Sequence, residues 1–86
     1  AIDTLSVGLA REVAAEGVRV NAVRPGIIDT EIHASGGQPD RAARVAASLP
    51  MQRVGTADEV AQAIVWLLGS AASYTSGAIL DVSGAR

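Results

Sequence analysis

Hydrophobic residues near the start of the chain repeat at the spacing of a helix. They recur every three or four positions and so share one helical face: Ile2, Leu5, Leu9 and Val13. Gly17 follows, and glycine is the usual residue for the left-handed conformation that ends a helix. The pattern therefore predicts a helix over residues 1–16.

A strand-like pattern follows this helix. Positions 18–24 are rich in β-branched residues, namely Val18, Val20 and Val23, and such residues favour extended backbone. Pro25 lacks a backbone donor and predicts the end of the strand. A second short strand is predicted at 78–82, after a loop rich in serine and alanine.

The clearest helix signal is a capping box. Thr56 and Glu59 precede an apolar run, so that the hydroxyl and the carboxylate can each satisfy a free amide at the helix start. Apolar residues then follow at helical spacing, which predicts a helix over 57–69. Another helix is predicted to begin at Pro39 and to end before Pro50.

The predicted order is helix, strand, lid, helix and strand, in which we call residues 29–50 the lid. Two strands joined through a crossover helix are expected to be parallel, with a right-handed connection. Parallel strands need cover on both faces, and so few elements cannot supply it. Residues 1–86 are therefore predicted to be part of a larger α/β domain.

Composition agrees with this class and excludes several partners. Hydrophobic residues make up 49% of the chain, with one Trp, one Tyr and no Phe, a mixture that suits helices packed on a parallel sheet. The net charge is −2, and the seven basic residues are scattered arginines. This gives no electrostatic reason to expect nucleic acid or an anionic membrane as a partner.

The absence of cysteine excludes disulfides and thiolate metal sites and fits a reducing compartment, so a cytoplasmic location is expected. The longest apolar run, at 63–68, is far too short to cross a membrane. The first residues lack the order of a signal peptide. Because the chain starts without Met inside a predicted helix, we expect its natural beginning to lie further upstream.

Pro25 and Gly26 mark a candidate site. Ligands of open α/β sheets bind beyond the carboxyl ends of the strands, and the first predicted strand ends here. Gly26 leaves room for a flat ring to approach the main chain of Ile27 and Ile28. Thr30 adds a hydroxyl that can donate and accept. The alternative is that Pro-Gly only terminates the strand and that Thr30 only caps a helical turn.

Two long stretches resemble the short-chain dehydrogenases/reductases. The family's segment after its Tyr-x-x-x-Lys motif is similar to LSVGLAREVAAEGVRVNAVRPGIIDTE. The family's C-terminal segment is similar to PMQRVGTADEVAQAIVWLLGSAASYTSGAILDVSG. The resemblance implies the C-terminal part of a Rossmann-type doubly wound parallel sheet. It also implies an oxidoreductase that transfers a hydride between NAD or NADP and an alcohol or carbonyl substrate.

The resemblance implies roles for four cofactor-binding residues. Pro25 and Gly26 match the family's Pro-Gly pair. Ile28 matches the residue whose main chain pairs with the nicotinamide carboxamide. Thr30 matches a hydroxyl residue that contacts the carboxamide or the adjacent phosphate.

The lid corresponds to the family's variable substrate-binding loop, in which Ile32 and His33 are the expected substrate contacts. Closure of such a loop excludes water and orients the substrate. Family members are commonly homotetramers, so a homotetramer or homodimer of the full-length protein is expected. The helix at 1–16 and the last strand with its helix are the expected contacts.

The family's catalytic motif is absent from these residues. The chain has no lysine, and its only tyrosine, Tyr74, is followed by the sequence TSGA. In the family the lysine lowers the pKa of the tyrosine, which exchanges a proton with the substrate oxygen. No catalytic residue is therefore assigned, and the 86 residues alone are predicted to be inactive. The motif is expected shortly before Ala1.

Other residues allow competing interpretations. Asp29, Glu31 and His33 alternate, so an extended segment would bring them to one face as a metal site, although a solvated lid edge is simpler and no metal is predicted. Arg24 is a candidate contact for a phosphate or a substrate acid, or a partner in an ion pair with Asp29 or Glu31. Arg53 is expected to be structural.

Asn21, in the middle of the predicted strand, is expected to fix neighbouring backbone. For the chain as a whole, the alternative to an enzyme is a non-catalytic α/β module that acts through association.

Overall fold

The computed structural model describes residues 2–29 and 39–86. Within them lie three α-helices, Ile2–Val13 (α1), Pro39–Ser48 (α2) and Ala57–Leu68 (α3). The strands of the same residues are Ala22–Pro25 (β1), Ile28–Asp29 (β2), Gly55–Thr56 (β3) and Ile79–Val82 (β4). Short 3₁₀ turns at Ala14–Glu16 and Ser70–Ala72 follow α1 and α3. The predicted α/β class is confirmed, and the short strands β2 and β3 are additions to the predicted order.

The first helix ends where the sequence predicts. At Val13, α1 passes into the 3₁₀ turn. Gly17 then takes a φ of 77° and donates its N–H to the carbonyl of Ala14 at 3.0 Å. A residue with a Cβ is strained at such a φ, so glycine is the residue that permits this stop.

The first strand is shorter than predicted and shifted toward the turn. We predicted 18–24, whereas β1 covers Ala22–Pro25. Val20 donates its N–H to the Ser76 hydroxyl at 3.2 Å and accepts the Gly77 N–H at 2.8 Å. Gly77 has a φ of 74°, so the facing segment is not extended and a regular ladder starts only at Ala22.

Asn21 bridges the irregular segment in front of the strand. Its side-chain amide donates to the carbonyl of Thr75 at 3.0 Å, and its side-chain oxygen accepts the N–H of Ala78 at 3.0 Å. The side chain thus supplies bonds that the ladder does not make before Ala22. The predicted structural role of Asn21 is confirmed.

Strands β1 and β4 pair in parallel, as the crossover rule predicts. The ladder is continued on both sides by bonds from Ala22 N–H to the Ala78 carbonyl and from Gly26 N–H to the Val82 carbonyl, each 2.9 Å. Backbone groups of consecutive residues point to opposite sides of a strand. Those of Ala22 and Gly26 point toward β4, so those of Val23 and Pro25 point away from it. The missing N–H of Pro25 therefore costs this ladder no bond.

Helices lie on both sides of the β1–β4 sheet. Asp81 pairs with Arg24, which also reaches Asp3 on α1. The next residue, Val82, lines a cavity together with Glu59 of α3. Because consecutive strand residues point to opposite faces, α1 and the start of α3 lie on opposite sides of the sheet.

The apolar core of the described residues is small. Its buried hydrophobic side chains are Ala10, Leu49, Leu67 and Ala72. Large apolar side chains lie outside it, with Leu5 70% and Leu68 76% exposed and Tyr74 fully exposed. No helix in residues 2–29 and 39–86 is both long and apolar enough to cross a bilayer.

Candidate functional site

The Pro25-Gly26 turn lies at the carboxyl end of β1, beside the end of β4. A Cβ built on Gly26 would lie 2.8 Å from the Ser83 Cα and 3.0 Å from the Ser83 Cβ. Real Cβ atoms do not approach backbone atoms so closely, so Ser83 or the turn would have to move. Glycine is thus required here by the approach of the chain after β4, a packing reason that the sequence did not reveal.

Ile28 lies in a two-residue strand that the sequence did not predict. β2 pairs in parallel with β3, with Ile28 opposite Gly55, and the Gly55 N–H donates to the Ile27 carbonyl at 2.9 Å. Because that carbonyl points toward β3, the N–H and C=O of the next residue point away from it. The N–H and C=O of Ile28 therefore both point away from β3.

A small cavity lies next to this strand pair. Its volume is about 130 Å³. Its lining includes Ile28 of β2, Leu49 at the end of the lid with Met51 just after it, and Ser83 and Gly84 after β4. Gly84 has a φ of 64°, and a Cβ there would meet the Met51 sulfur at 3.3 Å. Gly84, two residues after β4, is thus held against Met51, the residue that follows the lid.

Three of the six predicted ligand contacts, Pro25, Gly26 and Ile28, lie together at the carboxyl end of β1. The other three, Thr30, Ile32 and His33, lie outside the described residues. So do two of the three candidate metal ligands, Glu31 and His33. Residues 2–29 and 39–86 contain no group of three His, Cys, Asp or Glu side chains placed to hold a metal ion.

Arg24 has partners that the sequence did not predict. Its Nε and Nη2 donate to the two carboxylate oxygens of Asp81 at 2.8 and 3.3 Å, and its Nη1 donates to Asp3 at 3.0 Å. These bonds and charges, with Asp81 first, raise the pKa of Arg24. The ion pair with Asp29, one of the alternatives for Arg24, does not form; Arg24 pairs instead with Asp81, its partner across the ladder, and with Asp3. The other predicted partner, Glu31, lies outside the described residues.

The capping box at the start of α3 is confirmed and extends further than predicted. The Glu59 N–H donates to the Thr56 hydroxyl at 3.2 Å, and the Thr56 N–H donates to Glu59 Oε1 at 3.0 Å. Arg53 adds two bonds, from Nη1 to Oε1 at 2.8 Å and from Nη2 to Oε2 at 2.9 Å. The predicted structural role of Arg53 is confirmed.

Glu59 is expected to titrate near pH 2. The bonds from Arg53, followed by the backbone bond from Thr56, lower the pKa of Glu59 from 4.5 to about 2. Because the folded pKa is the lower one, stability from these contacts is complete above the unfolded value and is lost as pH falls through about 2. Carbon NMR titration of the Glu59 carboxyl measures the midpoint, which Arg53→Gln should raise. A wild-type midpoint near 4.5 would contradict this assignment.

Parallel strands with helices on both sides, and a candidate site beyond the carboxyl end of a strand, are features of the Rossmann class of α/β proteins. A family model described as enoyl-(acyl carrier protein) reductase matches residues 1–84. The chain belongs to this family of short-chain dehydrogenases/reductases, and the resemblance noted in the sequence is confirmed.

Curated relatives agree with the family model. The chain is 62% identical over 86 residues to YgfF of Escherichia coli (strain K12), described as an uncharacterized oxidoreductase, covering 100% of this chain and 35% of the relative. It is 42% identical over 79 residues to the 3-oxoacyl-[acyl-carrier-protein] reductase FabG of Salmonella typhimurium, covering 92% of this chain and 32% of the relative. The chain thus spans about a third of the length of these relatives.

Solved structures confirm the predicted Rossmann-type fold. YwfH, described as an NADPH-dependent reductase involved in bacilysin biosynthesis, matches with a TM-score of 0.85 at 26% identity, over 96% of this chain and 35% of that chain. An NADPH-bound short-chain oxidoreductase from Pseudomonas aeruginosa PAO1 matches with a TM-score of 0.84 at 31% identity, over 96% and 34% of the two chains.

Proposed function

We propose that this chain forms the nicotinamide side of the cofactor site in an NAD(P)-dependent dehydrogenase/reductase. The orientation of the Ile28 main chain carries this proposal. It lies just beyond the carboxyl end of β1, and its N–H and C=O point away from β3. One donor and one acceptor on the same side match the carbonyl and the amino group of a carboxamide.

The neighbouring residues complete the proposed cofactor site. Pro25 and Gly26 place Ile28 at the edge of the sheet, and Thr30 adds its hydroxyl. When bound, the cofactor supplies the hydride chemistry. Ile32 and His33 in the lid contact an alcohol or carbonyl substrate and help to exclude water from it.

The proton transfer that accompanies hydride transfer needs residues outside this chain. We propose that residues 1–86 are the C-terminal part of a single Rossmann domain and that residues upstream supply the Tyr-x-x-x-Lys motif. The descriptions of FabG as a 3-oxoacyl-[acyl-carrier-protein] reductase and of YwfH as an NADPH-dependent reductase support a carbonyl substrate and NADPH.

Cofactor binding and turnover by the full-length protein test this function. Titration with NADH and with NADPH is expected to show saturable binding of at least one of them. A panel of ketones, 3-oxoacyl thioesters and secondary alcohols is expected to give turnover with the cofactor that binds. The isolated 86 residues, assayed in parallel, are expected to give none. Full-length protein that binds neither cofactor would overturn the proposal.

We also propose that the full-length protein is a homotetramer or homodimer. Apolar side chains on α1 and α3, among them Leu5 and Leu68, are more than two thirds exposed, so these helices carry apolar surface for contact with upstream residues of the domain and with another copy. Analytical ultracentrifugation measures the state directly. A monomer at micromolar concentration would overturn the proposed association. It would also remove support from the alternative, a non-catalytic module that acts by association.

A further inference from the structure

We infer that Glu59 is a positioning residue for the cofactor, because its carboxylate holds β3 in register beside the strand that carries Ile28. This inference rests on the proposed function and adds a residue to it. Glu59 is not one of the residues expected to contact the cofactor, and it acts only through the backbone of β2 and β3. The inference is carried by three successive contacts.

The first contact fixes the segment before α3 at two points. Glu59 accepts the N–H and the hydroxyl of Thr56 on Oε1 at 3.0 and 3.3 Å. It also accepts both terminal nitrogens of Arg53, at 2.8 and 2.9 Å. A capping box alone needs only the Thr56 bonds. The added Arg53 clamp holds both ends of 53–56, the four residues that contain β3.

The second contact joins β3 to β2. Gly55 lies opposite Ile28 and Thr56 lies opposite Asp29, and this parallel pairing is two residues long. Register in so short a ladder has little support of its own. The bond from the Gly55 N–H to the Ile27 carbonyl holds that carbonyl toward β3, and so keeps the N–H and C=O of Ile28 pointing away from it. Whatever fixes Thr56 therefore also fixes the direction of the Ile28 N–H and C=O.

The third contact lies between the Ile28 side chain and the backbone of Gly55 and restricts the same register. A Cβ built on Gly55 would lie 2.9 Å from the Ile28 Cδ1. Ile28 therefore packs directly over the glycine of β3 and follows any movement of that strand. Together these contacts connect the Glu59 carboxylate, through Thr56 and Gly55, to the backbone N–H and C=O of Ile28 that are proposed to bind the carboxamide.

Asp58 provides a matched control. It is the neighbouring acid in the first turn of α3, so it has the same charge and a similar position relative to the helix dipole. Its carboxylate accepts a bond from Gln62 at 2.8 Å, one turn along the helix and away from β3. Asp58→Asn therefore removes an acidic charge from the same turn without releasing Thr56.

The experiment compares two ligands of the full-length protein by calorimetric titration. One is whichever of NADH or NADPH the wild type binds, and the other is ADP-ribose or its 2′-phosphate, which lacks the nicotinamide. Glu59→Ala is expected to raise the Kd of the complete cofactor about three- to tenfold, as for mutations in coupled contact networks. The Kd of the fragment should change less than twofold. Asp58→Asn should change neither constant.

Glu59→Gln keeps the acceptor oxygen for Thr56 and loses the charge that attracts Arg53, so a smaller shift in the same direction is expected. If Glu59→Ala does not fold, Glu59→Gln decides the question. An unchanged cofactor Kd in the folded variant, or an equal loss for both ligands, would overturn the positioning role alone. Wild-type protein that binds no cofactor would instead overturn the proposed function.

Discussion

The isolated 86-residue chain is expected to show no cooperative thermal transition and to aggregate. The buried hydrophobic side chains of its described residues include two leucines and two alanines, whereas Leu5 and Leu68 are 70% and 76% exposed. A core of this size offsets little of the conformational entropy that folding costs. Short β-ladders without further support do not compensate for this.

Strand edges add to the instability of the isolated chain. The backbone groups of Val23 point away from β4, and those of Ile79 and Asp81 point away from β1. Such edges are templates for pairing with other copies. Circular dichroism melts and size-exclusion chromatography with light scattering measure the outcome, with the full-length protein in the same buffer as the control. A monomer with a sharp, reversible melt would show that these residues fold alone.

Gly26→Val is expected to lower the melting temperature of the full-length protein and to weaken cofactor binding together. The added Cβ would overlap the Ser83 Cα at 2.8 Å, and a backbone atom cannot rotate away. Overpacking of this kind costs about 1–3 kcal/mol. For a domain of 150–250 residues, each kcal/mol lowers the melting temperature by about 2–4 °C. Displacement of the turn also moves Ile28, two residues further on.

Gly8→Ala is the matched control for this substitution. Gly8 lies within α1, and a Cβ there has no neighbouring atom within 4 Å. Alanine is favoured over glycine inside a helix by about 0.5–1 kcal/mol, so a small rise in melting temperature is expected. Differential scanning calorimetry of both variants, with NAD(P)H titrations, tests the pair. An unchanged melting temperature for Gly26→Val would show that Ser83 yields easily.

The regular elements could be predicted because their signals are local. The stop at Gly17 and the capping box of Thr56 and Glu59 depend on residues within one turn of each other. The strand pair of Ile28 and Gly55 could not be predicted, because two residues carry no periodic pattern and their partners are far apart in the chain. The start of β1 was misplaced because β-branched residues mark extended backbone whether or not a regular partner is present.

The candidate site also has a part that the sequence predicts and a part that it does not. Pro25, Gly26 and Ile28 could be placed from the turn and from the family resemblance, and the structure places them at the predicted strand end. The clash between Gly26 and Ser83 and the link from Glu59 to Ile28 depend on tertiary approach. No spacing within one segment reveals such an approach, although the capping-box glutamate could have been suspected of a second role.

Pro25 also determines where β1 can accept another neighbour. A further strand could pair with the edge of β1 that faces away from β4. Val23 would donate its N–H to that strand, but Pro25, two residues later, has no N–H to donate. The next rung of that ladder would lack its bond, and the two chains would be free to separate there. Pro25 thus limits how far a further strand can pair along this edge of β1, immediately before the residues proposed to hold the nicotinamide.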